Sequence, residues 1–168
     1  MKRKQIMKGD GRRGFTLVEI IVVLVILAIL AAFTIPAMLG FVKEARGKAY
    51  LVEAREAYTA MQAALAEYGT QTPKPDATFY SIAPYDNTLK FYTSIEDNSE
   101  TKNPTSVALL KKAWSLMSSD IKLKNGDGIS FEVNPASNKV TTVYYYKNKY
   151  QIILDPTTNT TTINDYND

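Results

Sequence analysis

The chain has 168 residues, and its lack of cysteine and histidine excludes disulfides, thiol nucleophiles, catalysis with a histidine base and the usual zinc ligand sets. Of its 20 basic and 17 acidic residues, six basic and one acidic precede Phe15, which leaves 14 basic and 16 acidic residues and a net charge of −2. The basic character of the whole chain therefore comes from its start and does not indicate a nucleic-acid surface.

Residues 1–14 form a basic leader without an apolar face, and we expect no independent fold there. Residues 15–42 form a hydrophobic run with a single formal charge, Glu19. At about 1.5 Å per residue, a helix of this length exceeds the bilayer core of about 30 Å. The sequence therefore predicts one membrane-spanning helix whose basic N-terminal side stays in the cytoplasm.

Glu19 is the single formal charge in this apolar run. An acidic residue near the bilayer centre costs about 2.5–3.5 kcal/mol, and less near the edge. If the chain were cut between Gly14 and Phe15, a new α-amino group would lie four residues from Glu19. That amine, from the same or a neighbouring copy, would give the carboxylate a charge partner that the uncut chain lacks.

Pro36 is a weak point in the predicted span. It cannot donate a hydrogen bond to the carbonyl of Ala32, and Gly40 follows one turn later. We therefore expect the helix to bend or loosen between Pro36 and Gly40. In a bundle of packed helices, such a point is where a straight rod could stretch.

The features of this region occur together in a specific order: a basic leader, Gly14, Phe15, Thr16-Leu17-Val18, Glu19 at the fifth position from Phe15, an apolar run and Pro36. This combination resembles the N-terminus of a type IV prepilin, the class III leader and helix of type IV pilins and type II secretion pseudopilins. The resemblance implies cleavage after Gly14 by a prepilin peptidase and methylation of the Phe15 amine. It also implies that Glu19 and Pro36 act in assembly, with residues 15–42 as membrane anchor and then filament core.

The function that this resemblance implies is that of a structural pilin, a subunit of a surface filament for adhesion, motility or DNA uptake. The precursor would span the membrane once, and the assembled product would be a homopolymeric helical filament on the cell surface. Its expected partners are the prepilin peptidase and the assembly ATPase and inner-membrane platform protein of the pilus machine. Two alternatives stay open: a pseudopilin of a type II secretion or competence system, and a membrane-anchored binding protein that does not polymerise.

Residues 43–168 are expected to form the extracytoplasmic globular domain. Its first part continues the anchor as an amphipathic helix that stops at Gly69, so that both parts make one helix of about 55 residues. The apolar stripe of the second part consists of Ala54, Ala57, Tyr58, Met61, Leu65 and Tyr68.

Two less regular stretches follow. Residues 70–78 read as a proline-punctuated loop, and residues 79–104 as an irregular connection with room for one short strand or helix. Asn103 and Pro104 predict the start of a second helix that reaches about Ser118. Its expected buried stripe is Val107, Leu110, Trp114 and Met117.

The rest of the chain reads as antiparallel sheet. Alternating or β-rich runs occur at residues 121–123, 129–133, 139–146 and 150–155, with a possible last strand at 160–164. The predicted fold class is therefore α+β, a long N-terminal helix packed on an antiparallel meander. The resemblance implies the same architecture.

No arrangement of residues in this domain indicates catalysis. A P-loop motif is absent, so any ATP-driven movement must come from another protein. The scattered aspartates match no calcium-binding loop, and turn formation explains them better. We therefore expect no enzymatic activity, metal site, cofactor or direct nucleic-acid binding.

Overall fold

The computed structural model describes residues 14–70, 75, 77–85, 88–93 and 103–166. The chain divides into two units, one that ends at Val42 and one that begins at Lys43. Most of the predicted leader, residues 1–13, lies outside the described residues, as do residues 71–74 and 76 of the predicted loop.

The described ranges contain two helices and six strands. The helices are α1 (Leu17–Tyr68) and α2 (Pro104–Leu116). The strands are β1 (Phe79–Tyr85), β2 (Thr88–Tyr92), β3 (Gly128–Asn134), β4 (Lys139–Lys147), β5 (Tyr150–Asp155) and β6 (Thr160–Asp165). They form one antiparallel sheet in the order β2-β1-β3-β4-β5-β6. The predicted α+β fold, with a long N-terminal helix packed on an antiparallel sheet, is confirmed.

The prediction of an irregular connection over residues 79–104 was wrong for its first part. β1 and β2 form a hairpin, and β1 also pairs with β3, where Tyr80 lies opposite Phe131. Tyr80 and Ile82 alternate into the core, but Pro84 breaks the pattern of a buried strand in the sequence. The strand forms because β3, about 50 residues away along the chain, supplies its second partner.

Residues 121–123 also differ from the prediction, because they belong to the connection between α2 and β3. Ile121 is buried and Leu123 is half-buried against the core. The backbone N–H of Lys124 donates to Asp127 Oδ2 at 2.8 Å, and this turn leads the chain into β3. The alternating apolar residues here belong to a loop that packs on the core. Among the described residues, no strand pairs with residues 121–123.

The start of α2 is as predicted, and its buried face is predicted in part, because Leu110 and Met117 of the expected stripe are buried. Asn103 Oδ1 accepts hydrogen bonds from the backbone N–H groups of Thr105 and Ser106, at 2.9 and 3.2 Å. The residues buried along α2 are Thr105, Ser106, Leu109, Leu110 and Ala113, whereas Val107 and Trp114 are half-buried. The face that packs on the core also includes Leu109 and Ala113, which lie beside the predicted stripe.

α1 contacts the sheet through small side chains. Its buried residues are Gly47, Ala54, Ala57, Ala60, Met61, Ala64 and Leu65. Four of the six predicted stripe residues are in this set, while Tyr58 and Tyr68 pack half-buried at its margin. The helix ends as predicted before Gly69, where a Cβ would lie 2.6 Å from the carbonyl oxygen of Leu65. Glycine is needed there to avoid this clash.

A polar cluster joins α1 to β4. Glu53 Oε2 accepts a hydrogen bond from the hydroxyl of Tyr145 and lies 2.7 Å from Lys147 Nζ. Burial, and secondarily the bond to Glu53, raises the pKa of the Tyr145 phenol. Lys147 Nζ also lies 5.5 Å from the centroid of the Tyr50 ring. Both partners of the ion pair are therefore held in place when α1 packs on the sheet.

The side chain of Gln62 makes a second polar link. Its Nε2 donates to the carbonyl of Asn138 at 2.9 Å, and its Oε1 accepts from the N–H of Val140 at 3.0 Å. The amide thus pairs with the β4 backbone as a neighbouring strand would. Sequence analysis did not identify this role, because it depends on a contact across 76 residues.

We expect Gln62→Leu to destabilise the globular unit by about 1–3 kcal/mol, because a half-buried donor and acceptor lose their partners. Urea-induced unfolding of a fragment that begins at Lys43 measures the free energy of unfolding. The matched control is Ala63→Leu, which places the same side chain at the next, exposed position of α1 and should change stability by less than about 0.5 kcal/mol. Equal effects of the two variants would contradict the role of Gln62.

Candidate processing and assembly site

The predicted cleavage junction lies in irregular chain directly before α1. Residues Gly14, Phe15 and Thr16 are not helical, and 85% of Phe15 is exposed. A Cβ built on Gly14 meets no atom within 4 Å. The described fold therefore places no demand for glycine at position 14, so a requirement for it would have to come from another molecule.

Thr16 and Glu19 form a capping box at the start of α1. The backbone N–H and the hydroxyl of Thr16 both donate to Glu19 Oε2 at 2.7 Å, and the N–H of Glu19 approaches Thr16 Oγ1 at 3.3 Å. The carbonyl of Thr16 accepts the first helical hydrogen bond, from Ile20, at 3.3 Å. These bonds satisfy amide groups that a helix start leaves without partners.

The capping box was readable in the sequence as T-x-x-E, Thr16 to Glu19, and our sequence analysis missed it. It gives Glu19 hydrogen-bond partners in the uncut chain, which reduces the cost that we attributed to an isolated carboxylate. The bonds to Thr16 all use Oε2. Within the described residues Oε1 receives no hydrogen bond, so one carboxylate oxygen can still take a new partner.

Pro36 lies apart from the other candidate residues. It is 17 positions from Glu19 on the same helix, which corresponds to about 25 Å along the axis. α1 continues through Pro36 and Gly40. Two residues before Pro36, the Thr34 hydroxyl donates to the carbonyl of Leu30 at 2.7 Å. Gly14, Phe15 and Glu19 thus form one local site, and Pro36 is a separate feature of the helix.

The apolar part of α1 is exposed along its whole length. Every large apolar side chain from Phe15 to Val42 is exposed, from 41% at Val42 to 85% at Phe15. The helix contains an 18-residue window with a mean hydropathy of 3.0, none of it buried, and is long and apolar enough to cross a membrane. These side chains need a non-polar surrounding that the described chain does not supply.

Residues 10–35 match the family model of the prokaryotic N-terminal methylation motif. The chain carries a type IV prepilin-like class III leader. The matched range includes Gly14, Phe15 and Glu19 and ends one residue before Pro36. It supports a type IV pilin-like or pseudopilin-like precursor, and such a leader implies processing by a prepilin peptidase and use of a pilus assembly machinery. Together with the apolar helix, it fits a membrane-anchored precursor.

Comparisons with curated proteins and with solved structures give no significant match. The match to the methylation motif covers the leader and most of the apolar run, whereas the globular unit lies outside it. Within the described residues, no group of three or more acidic side chains could hold a metal ion. The roles of Gly14, Phe15, Glu19 and Pro36 stay predictions.

Replacement of Gly14 by leucine should block cleavage without disturbing the fold, because the side chain enters open space. In cells that produce a prepilin peptidase, we expect the unchanged protein to start at Phe15 and carry one methyl group. We expect Gly14→Leu to keep the leader. Intact-mass analysis of the membrane fraction distinguishes the two products.

The matched control for Gly14→Leu is Gly40→Leu, since a Cβ on Gly40 also meets nothing within 4 Å. This variant should be cleaved and methylated normally. A mature chain that retains Met1, or normal cleavage of Gly14→Leu, would contradict the predicted junction.

Proposed function

We propose that this protein is the precursor of a structural pilin, which is cut after Gly14, methylated on Phe15 and polymerised through residues 15–42 into a surface filament. The observation that carries the proposal is the exposed apolar half of α1 directly behind a prepilin-like leader. Such a helix suits both a bilayer and the core of a fibre made of identical helices.

This apolar segment does not remain exposed to water, because the burial of its side chains is strongly favourable in free energy. Burying one large aliphatic or aromatic side chain is worth about 1.5–3 kcal/mol, and the segment exposes nineteen of them. Transfer from lipid to a bundle of apolar helices changes this contribution little, because lipid tails are as apolar as leucine. The apolar side chains therefore keep the subunit out of water but do not define its position in the fibre.

Glu19 would define that position. In a fibre core of low dielectric, an unpaired carboxylate loses several kcal/mol to desolvation even after relaxation. Cleavage creates the Phe15 amine, and Glu19 Oε1 accepts no hydrogen bond within the described residues. A subunit would be stabilised at the axial position in the fibre where its Phe15 amine pairs with the Glu19 carboxylate of the same or an adjacent copy.

Contacts between apolar helices of successive copies would be heterologous, and such contacts generate a helical filament when they do not close. In this proposal the protein has no enzymatic role. Cleavage and methylation belong to the prepilin peptidase, and the energy for assembly comes from the ATPase and platform protein of the machine. Adhesion, motility and DNA uptake are the uses that such a filament would serve.

Electron microscopy of material sheared from the cell surface, with mass spectrometry of the isolated fibres, tests the proposal. We expect filaments whose main protein is this chain from Phe15 onward. Filaments confined to the cell envelope and dependent on a secretion or competence system would favour the pseudopilin alternative. A mature protein that stays in the membrane without any filament would favour the non-polymerising alternative.

We expect Glu19→Val and Glu19→Gln to insert and be cleaved normally, since the bilayer gains by losing a charge. Filament yield should fall by more than about tenfold in both variants, because the charge pair is lost. Glutamine keeps the cap, since its amide oxygen can still accept from the N–H of Thr16. Valine removes the cap as well.

The comparison of these two variants separates charge from capping. If Glu19→Gln assembled normally and only Glu19→Val failed, the cap and not the ion pair would control assembly. Thr16→Ser is a further control, because it keeps the hydroxyl and should assemble normally. Normal fibres from Glu19→Val would contradict the pairing hypothesis.

A further inference from the structure

The globular unit has an open groove of about 320 Å³ between the start of its helix and the edge of the sheet. One wall is formed by α1, and the other by β5 and β6. The lining residues are Lys43, Glu44, Gly47 and Lys48 of α1, and Tyr150, Ile163 and Asp165 of the two strands. A Cβ on Gly47 would lie 3.1 Å from Ile163 Cγ2. The missing side chain of Gly47 therefore lets the helix approach β6 closely and shapes the floor of the groove.

The groove is apolar in its interior and electrically balanced at its rim. Ile163, a large aliphatic residue on the edge strand β6, is 41% exposed. The charged residues on the rim are two lysines and two acidic residues, Lys43, Lys48, Glu44 and Asp165. Lys48 Nζ and Glu44 Oε1 are 2.6 Å apart. Such a surface favours an apolar partner without net charge.

A segment of this description exists in the same sequence. Residues 20–42 carry no formal charge, and their large side chains are all exposed. Two aromatic residues project furthest, with Phe33 exposed to 79% and Phe41 to 72%. Both the groove and the segment therefore expose apolar surface, and neither requires an opposite charge from the other.

We propose that this groove receives the apolar helix of a second copy of the chain. The inference rests on the proposed function, and it adds the counter-surface on the globular unit to the helix-to-helix contact described above. Two different surfaces meet in this contact, so it is heterologous and can repeat along a filament. The exposed side of Ile163 and the apolar floor of the groove would accept a large side chain from residues 20–42 of the neighbour.

The lack of native cysteine makes cross-linking a direct test. Two differently tagged copies are produced in the same cells, one with Ile163→Cys and the other with Phe33→Cys or Phe41→Cys. A disulfide requires Cα atoms about 4.4–6.8 Å apart. We expect oxidation of sheared filaments to give a dimer that carries both tags for at least one of the two pairs.

Leu116→Cys is the matched control for Ile163→Cys, because Leu116 is an aliphatic residue of similar exposure, 46%, on α2. It should give no such dimer. Filaments in which Ile163→Cys cross-links no better than Leu116→Cys would overturn the inference and leave the proposed function intact. Absence of filaments from the unchanged protein would overturn the proposed function and this inference together.

A second measurement does not depend on disulfide geometry. Ile163→Asp should abolish filaments while the precursor is still inserted and cleaved, because a carboxylate in the groove would be desolvated by the incoming helix. Leu116→Asp should leave filament yield unchanged. Normal filaments from Ile163→Asp would overturn the inference.

Discussion

The organisation of this protein depends on one constraint: its long apolar segment, residues 15–42, is exposed and carries a single carboxylate, that of Glu19. Residues 15–42 can be stable in lipid or against other apolar helices, but not in water. The globular unit therefore has to be stable without contributions from that segment. Its core, built from the sheet, α2 and the small-residue face of α1, contains no residue of that segment.

In the proposed function, the side chain of Glu19 serves two stages. In the uncut chain its Oε2 holds the start of α1 through Thr16, and Oε1 has no such bond within the described residues. Capping fixes where the helix begins, so the Gly14–Phe15 peptide lies outside the helix. The amine that cleavage would create on Phe15 lies four residues from this acceptor in the sequence.

The C-terminal half of α1 is joined to the sheet by two different means. Small residues let the helix come close, and the polar side chains of Glu53 and Gln62 reach groups on β4. Close approach at Gly47 also leaves a groove beside Ile163 at the sheet edge. The packing of α1 on the sheet thus also forms the apolar groove that we propose as the contact for a neighbouring copy.

The sequence by itself determined the features that depend on neighbouring residues: the prepilin-like leader, the start and end of both helices, and strands β3 to β6. Helical and strand periodicities, capping residues and turn residues are local signals, and these helices and strands are present in the fold. The tertiary structure alone decided the β1–β2 hairpin, the burial of Leu109 and Ala113 on α2 and the pairing of Gln62 with Asn138 and Val140. Each of these depends on contacts between segments distant in the chain, whose packing outweighs local preference.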